Sequence, residues 1–169
     1  LHARHETLGA RFTDFGGWEM PLQYAGTLSE HTAVRTGVGV FDVSHLGRFA
    51  LDGPGAAALV GHLLCNDLGR IAPGRAQYTL MLTPDGGIAD DIIVWWVAPD
   101  RIIVLPNGVN HDLVRDVFSA AGGDVRITDL RSHTALLAVQ GPGAPALLES
   151  VVGFAPKRFR VADRPPLLA

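Results

Sequence analysis

The chain has 169 residues, 47% hydrophobic and 18% charged, with mean hydropathy +0.21; that is too apolar for a disordered chain and long enough to bury a core. Its 20 glycines and 11 prolines follow no period, which excludes a collagen-like chain, and its 14 basic and 17 acidic residues (net −3) form no run of like charge, which argues against a nucleic-acid surface. No apolar stretch reaches the ~18 residues of a membrane span, and the lone Cys65 allows neither an internal disulfide nor a cysteine-based metal site.

Residues 1–9 have weak helical spacing. Residues 13–27, TDFGGWEMPLQYAGT, are dense in Gly, Pro and aromatics and read as a structured loop. SEHTAVRTG reads as a helix capped by Thr27 or Ser29 and ended by Gly37. The alternation in GVFDVSHLGRFALDG predicts strands on both sides of Ser44 and His45. A helix over 55–69 follows, then a loop and a strand over 76–83. Pro84-Asp85-Gly86-Gly87 is a hairpin turn, since Pro presets φ and Gly supplies positive φ. The return strand IADDIIVWWVAPD leads to RIIVLPNG, and Leu113, Val114, Val117 and Phe118 mark an amphipathic helix over 111–123. Strands over 124–130 and 134–140, a helix over 143–153 and an ambiguous RFRVA segment (158–162) complete the chain. FALDGPGAAALV and LAVQGPGAPALL repeat one pattern 88 residues apart: a strand, Gly-Pro-Gly-Ala, then a helix with Pro in its first turn. Hairpin-joined strands with interspersed helices give an α+β fold of antiparallel sheets with packed helices.

The dinucleotide, phosphate-loop, nucleophile-elbow and zinc-helix motifs are absent. The seven histidines are scattered and read as surface or capping residues. Asp90 and Asp91 stand out, because they open an otherwise apolar strand. Alternation puts Asp90 with Ile92, Val94 and Trp96, and Asp91 with Ala89, Ile93 and Trp95. Both faces are apolar, so each carboxylate must be paired or sit at the sheet's end. Either both lie at the wet end by the turn, or one points into a cleft, where it can bind an NH-rich ligand or handle a proton. Tyr78, on the partner strand, can stack on a flat ligand. Asn107, after the next strand, can both donate and accept.

Four blocks carry a family resemblance: FGGWEMPLQY (15–24), AVRTGVGVFDVSHLG (33–47), YTLMLTPDGGIADDIIV (78–94) and AVQGP (138–142). In this order and spacing the chain resembles the N-terminal half of the glycine cleavage system T-protein family. That resemblance implies two related ferredoxin-like units of a folate-binding fold. It implies a first domain of 1–46 with 133–169, a second of 47–132, and a C-terminal barrel domain outside this chain. It also implies an aminomethyltransferase, which moves the one-carbon unit from the lipoyl arm of H-protein to tetrahydrofolate and releases ammonia. By position, Asp91 is then the catalytic carboxylate beside folate, Tyr78 packs on the pterin, Asn107 hydrogen-bonds it, and Leu46 lines the pocket. No metal is expected, nor any nucleic-acid or membrane partner, and the compartment is expected to be cytoplasmic. The family's N-A-A-N stretch is Asn107-Gly108-Val109-Asn110 here, and its later G-Y-T-G-E-D-G segment is missing, so the chain reads as a fragment, inactive alone. Two other readings stay open: another folate-dependent demethylase or a dimethylglycine- or sarcosine-type enzyme part, and a non-catalytic folate-binding protein of iron–sulfur maturation.

Overall fold

The apolar run that carries the two aspartates becomes the longest strand among the described residues, Ile88–Ala98. A computed structural model describes residues 1–153. The RFRVA segment lies outside the described residues. Within them the chain forms two compact units, one of residues 1–43 and 137–153, the other of 44–136.

The second unit is built on a five-stranded antiparallel sheet. In chain order its elements are β4 (Phe49–Asp52), α3 (Ala56–Leu63), β5 (Arg75–Leu82), β6 (Ile88–Ala98), β7 (Arg101–Leu105), α4 (His111–Ala121) and β8 (Arg126–Asp129). The strand order is β5-β6-β7-β4-β8. Without the edge strand β5, this is the ferredoxin-like arrangement, in which the first and last strands pair beside the third. Alternation gives the sheet one core face. There Phe49, Leu51, Ile92, Val94, Ile102 and Val104 are fully buried together with Val60, Val114 and Phe118 of the helices. Each such side chain contributes about 1.5–3 kcal/mol on leaving water. Phe49 and Phe118 meet edge to face at 5.4 Å. The edge of β5 is covered by the segment after α3: Cys65 N–H donates to the Leu80 carbonyl (3.0 Å) and Asn66 Nδ2 to the Tyr78 carbonyl (2.5 Å), which blunts an open strand edge.

Arg48 is buried just before β4. Its guanidinium donates to the carbonyls of Ser44 (3.0 Å) and Leu46 (3.1 Å), to Thr134 Oγ1 (2.6 Å) and to the Thr134 carbonyl. Ser44 Oγ accepts from Leu136 N–H at 3.0 Å. The rigid fork of a guanidinium suits several fixed carbonyls at once.

The first unit holds α1 (His2–Thr7), β1 (Arg11–Phe15), β2 (Trp18–Gln23), α2 (Thr27–Thr36), β3 (Gly39–Asp42), β9 (Leu137–Gln140) and α5 (Ala144–Val152). β1 pairs with β2 and β3 with β9, both antiparallel. His5 Nε2 donates to Asp42 (3.0 Å) and its Nδ1 accepts from the Tyr24 hydroxyl (2.8 Å), because a carboxylate can only accept.

Several local readings need correction. The loop expected over 13–27 contains the β1–β2 hairpin. Gly16 and Gly17, at φ 60° and 84°, turn it, and a Gly-Gly pair is a hairpin signal in its own right. Thr27 and Ser29 do not cap α2. Its N-cap is Gly26, whose N–H donates to Glu30 Oε1 at 2.8 Å. The helix expected to 69 ends at Leu63, and the strand expected from 134 starts at Leu137. Pro54 and Pro142 precede the N-cap residues Gly55 and Gly143 and so lie before the first turn. His111 is no surface residue: it is fully buried against Phe49.

The repeated Gly-Pro-Gly is repeated geometry. Gly53 and Gly141 have φ +147° and +117°, and a Cβ on either would reach a backbone oxygen, that of Asp124 at 2.3 Å or Gly37 at 2.4 Å. Gly55 N–H donates to the Asp124 carbonyl and Gly143 N–H to the Gly37 carbonyl. Each acceptor lies two residues before the strand that pairs with the one ending in the motif, β8 with β4 and β3 with β9. Gly53→Ala is therefore expected to cost about 2–4 kcal/mol, from left-handed strain and overlap, read as a lower denaturant midpoint. A pH dependence is expected as well. Burial, then the Arg131 cation, pushes the His111 imidazole below its ordinary value, while hydrogen bonds from Arg131 hold the Asp129 carboxyl well below the carboxylate range. The unfolded chain takes up the His111 proton first, so stability falls as pH drops below about 6.5, and the Asp129 contribution follows below about pH 4. Urea midpoints from pH 8 to 5 should lose this upper limb in His111→Gln.

Candidate functional site

Antiparallel pairing brings the start of β6, the end of β7 and the start of β4 to one end of the five-stranded sheet. Asp90 and Asp91 open β6 there, and Asn107 follows β7. Leu46 lies just before β4, in a segment pinned where Gly47 N–H donates to the Pro106 carbonyl at 2.9 Å.

The two aspartates part to opposite faces, as alternation requires. Asp90 is only 3% exposed and continues the core face of Ile92 and Val94, whereas Asp91 is exposed on the other. Burial of Asp90 is compensated by three N–H donors. Asn107 donates through its backbone N–H to Oδ2 (3.0 Å) and through Nδ2 to Oδ1 (2.9 Å), and Asn110 Nδ2 donates to Oδ1 (2.7 Å). Such bonds are charge-assisted and stronger than neutral ones. Asn107 Nδ2 also donates to Asp91 Oδ1 at 2.8 Å. One carboxamide thus spans both carboxylates.

Tyr78 stands opposite Ile93 in the β5–β6 ladder, and Leu80 opposite Asp91. Paired residues share a face, so Tyr78 and Asp91 lie on the same side. Tyr78 is 66% exposed, while its neighbour Thr79 faces the core. A ring and a carboxylate are therefore presented from one face of the sheet, and the carboxamide meets the carboxylate at the sheet's end. Leu46 is half-buried, and its carbonyl accepts from Arg48; the bonds that join Asp91 to Asn107 do not extend to its side chain. Sequence reasoning missed the part played by Asp90 and Asn110. The signal was present in the cost of a buried strand carboxylate, which demands donors close in space. Among the described residues no group of three or more His, Cys, Asp or Glu could hold a metal ion, and no helix is long and apolar enough to cross a membrane.

These features define an α+β protein of antiparallel sheets with helices packed on them. Residues 1–163 match the family model of the GCVT N-terminal domain, and the chain belongs to that family. It is 52% identical over 152 residues to an aminomethyltransferase of Mycobacterium tuberculosis (strain ATCC 25618 / H37Rv), a match covering 89% of this chain and 41% of that protein. An aminomethyltransferase of Parafrankia sp. (strain EAN1pec) is 50% identical over 154 residues, 89% of this chain and 42% of that protein. The crystal structure of glycine cleavage system aminomethyltransferase T from Bartonella henselae superposes with a TM-score of 0.83 at 34% identity, over 89% of this chain and 42% of that one. The chain thus spans about two fifths of the length of the curated relatives it matches.

Asn110→Ala takes one donor from the buried Asp90 and is expected to cost about 1–3 kcal/mol, seen as a lower urea midpoint than that of the parent.

Proposed function

We propose that this chain carries the carboxylate side of a tetrahydrofolate site in an aminomethyltransferase of the glycine cleavage system. Family membership and the names of its relatives support the class. The observation that carries the site is the placement of Asp91, exposed, bonded to Asn107 at 2.8 Å and on the same face as Tyr78.

The residues suit a flat, NH-rich ligand. Tyr78 offers an aromatic face for the pterin. Asp91 keeps a carboxylate oxygen beyond its bond to Asn107, and that oxygen can accept from a folate N–H and help poise the attacking nitrogen. Asn107 adds a carboxamide oxygen, and Leu46 an apolar wall. In the reaction, the one-carbon unit of an aminomethyl group on the lipoyl arm of H-protein passes to tetrahydrofolate. Its bonds to sulfur and to the amino nitrogen break, bonds to two folate nitrogens form, ammonia leaves, and the lipoyl arm departs as the dithiol. Further folate contacts belong to a C-terminal domain in this proposal. The exposed free Cys65 is compatible with a reducing compartment such as the cytoplasm.

In the protein at its full natural length, Asp91→Asn should lower turnover about 100-fold. Stability should stay within about 0.5 kcal/mol of the parent, because Asp91 is exposed. Calorimetric titration of tetrahydrofolate and an H-protein exchange assay read the two sides. Turnover retained within a few-fold would remove Asp91 from its role.

A further inference from the structure

We infer that Asp90 is a positioning residue, which together with Asp91 fixes the direction of hydrogen bonding that the site offers its ligand; this rests on the proposed folate site. An asparagine carboxamide has two chemically different ends, and either can face a ligand. Here every inner neighbour of the carboxamide is an acceptor: Asp90 Oδ1 at 2.9 Å, Asp91 Oδ1 at 2.8 Å and the Asp91 carbonyl at 3.3 Å. Carboxylates accept only, so the nitrogen must face them and the oxygen must face away. The Asn107 side-chain oxygen, Oδ1, accepts no hydrogen bond among the described residues.

Asp90 also anchors the residue itself, since its Oδ2 takes the Asn107 backbone N–H. Backbone and side chain of Asn107 are thus held by one buried carboxylate. The ligand meets two acceptors side by side, Asn107 Oδ1 and the second oxygen of Asp91. Such a pair selects a ligand edge with adjacent N–H donors and disfavours one that presents an acceptor there. With an amide at position 90, the buried partner would lose its charge and its double hold on the backbone N–H and the side chain of Asn107, so the carboxamide would rest on Asp91 alone and be held less firmly in this orientation.

The test is a double-mutant cycle in the full-length protein, with KM and kcat for tetrahydrofolate as readout. Asp90→Asn and Asn107→Ala should each lower kcat/KM about tenfold, mainly through KM. The double variant should also lie near tenfold, because Asp90 acts through Asn107. A double variant near a hundredfold, or an Asp90→Asn protein with parental KM, overturns the inference. Val60→Ala, in the core, should lower the melting temperature without moving KM, which separates positioning from stability. Should Asp90→Asn fail to fold, the unsubstituted protein decides by NMR. Both Asn107 side-chain amide protons should exchange with water at least tenfold more slowly than those of an exposed asparagine; ordinary exchange overturns the inference. If the unsubstituted protein binds no tetrahydrofolate, the functional reading falls instead, and the amide protons still decide the role of Asp90.

Discussion

A carboxylate taken out of water must be met by N–H groups, and in this protein that demand falls on Asp90. Its three donors come from a short segment, Asn107 to Asn110, between β7 and α4. The constraint therefore reaches in two directions. It holds the segment against the first residues of β6, and it sets where α4 begins. His111 follows at once, fully buried, with Nε2 donating to Asp129 at 3.2 Å. Asp129 in turn takes Arg131 at 2.7 Å, close to the segment that Arg48 holds. Two polar groups thus flank the start of α4, one at the open end of β6 and one at the end of β8, joined through the chain at Asn110 and His111.

Much of this architecture was legible because it rests on period. Strand alternation separated Asp90 from Asp91, and apolar spacing marked α4. Turn chemistry located the hairpin before β6. The parts that escaped depend on distance in space. Nothing local tells that His111 packs under Phe49, since its own helix starts in a polar Asn-Gly-Val-Asn stretch. The β1–β2 hairpin was hidden by its aromatic and proline content, although Pro21 is tolerated in a two-stranded ladder with an open edge. At the site, the family resemblance directed attention to Asp91, Tyr78 and Asn107. The dependence of Asn107 on the buried neighbour could be seen only with three dimensions in hand.

The two Gly-Pro-Gly junctions show that a short echo can be a physical unit. In both, the first glycine lets the chain pass within contact of another backbone. The second glycine gives its N–H to a carbonyl two residues before a strand. A side chain at either first glycine would push that strand away. The motif therefore fixes the helix and the pairing strand together, which explains its use in each unit. The proline contributes by restricting the unfolded chain rather than by capping the helix.

The bonds of Arg48 and Ser44 have a consequence for assembly order. β3 and β9 must pair although about ninety residues of chain separate them, and closing so long a loop from the unfolded state opposes the pairing by roughly 4 kcal/mol. Once 44–136 is folded, Ser44 and Leu136 are already held together, and the guanidinium locks the flanking carbonyls. The strands then emerge next to each other, and the long closure has become a short one. Folding of the inserted unit thus acts as a splint for the ladder of its host. Weakening a single buried guanidinium would slow a β-ladder in which it takes no part.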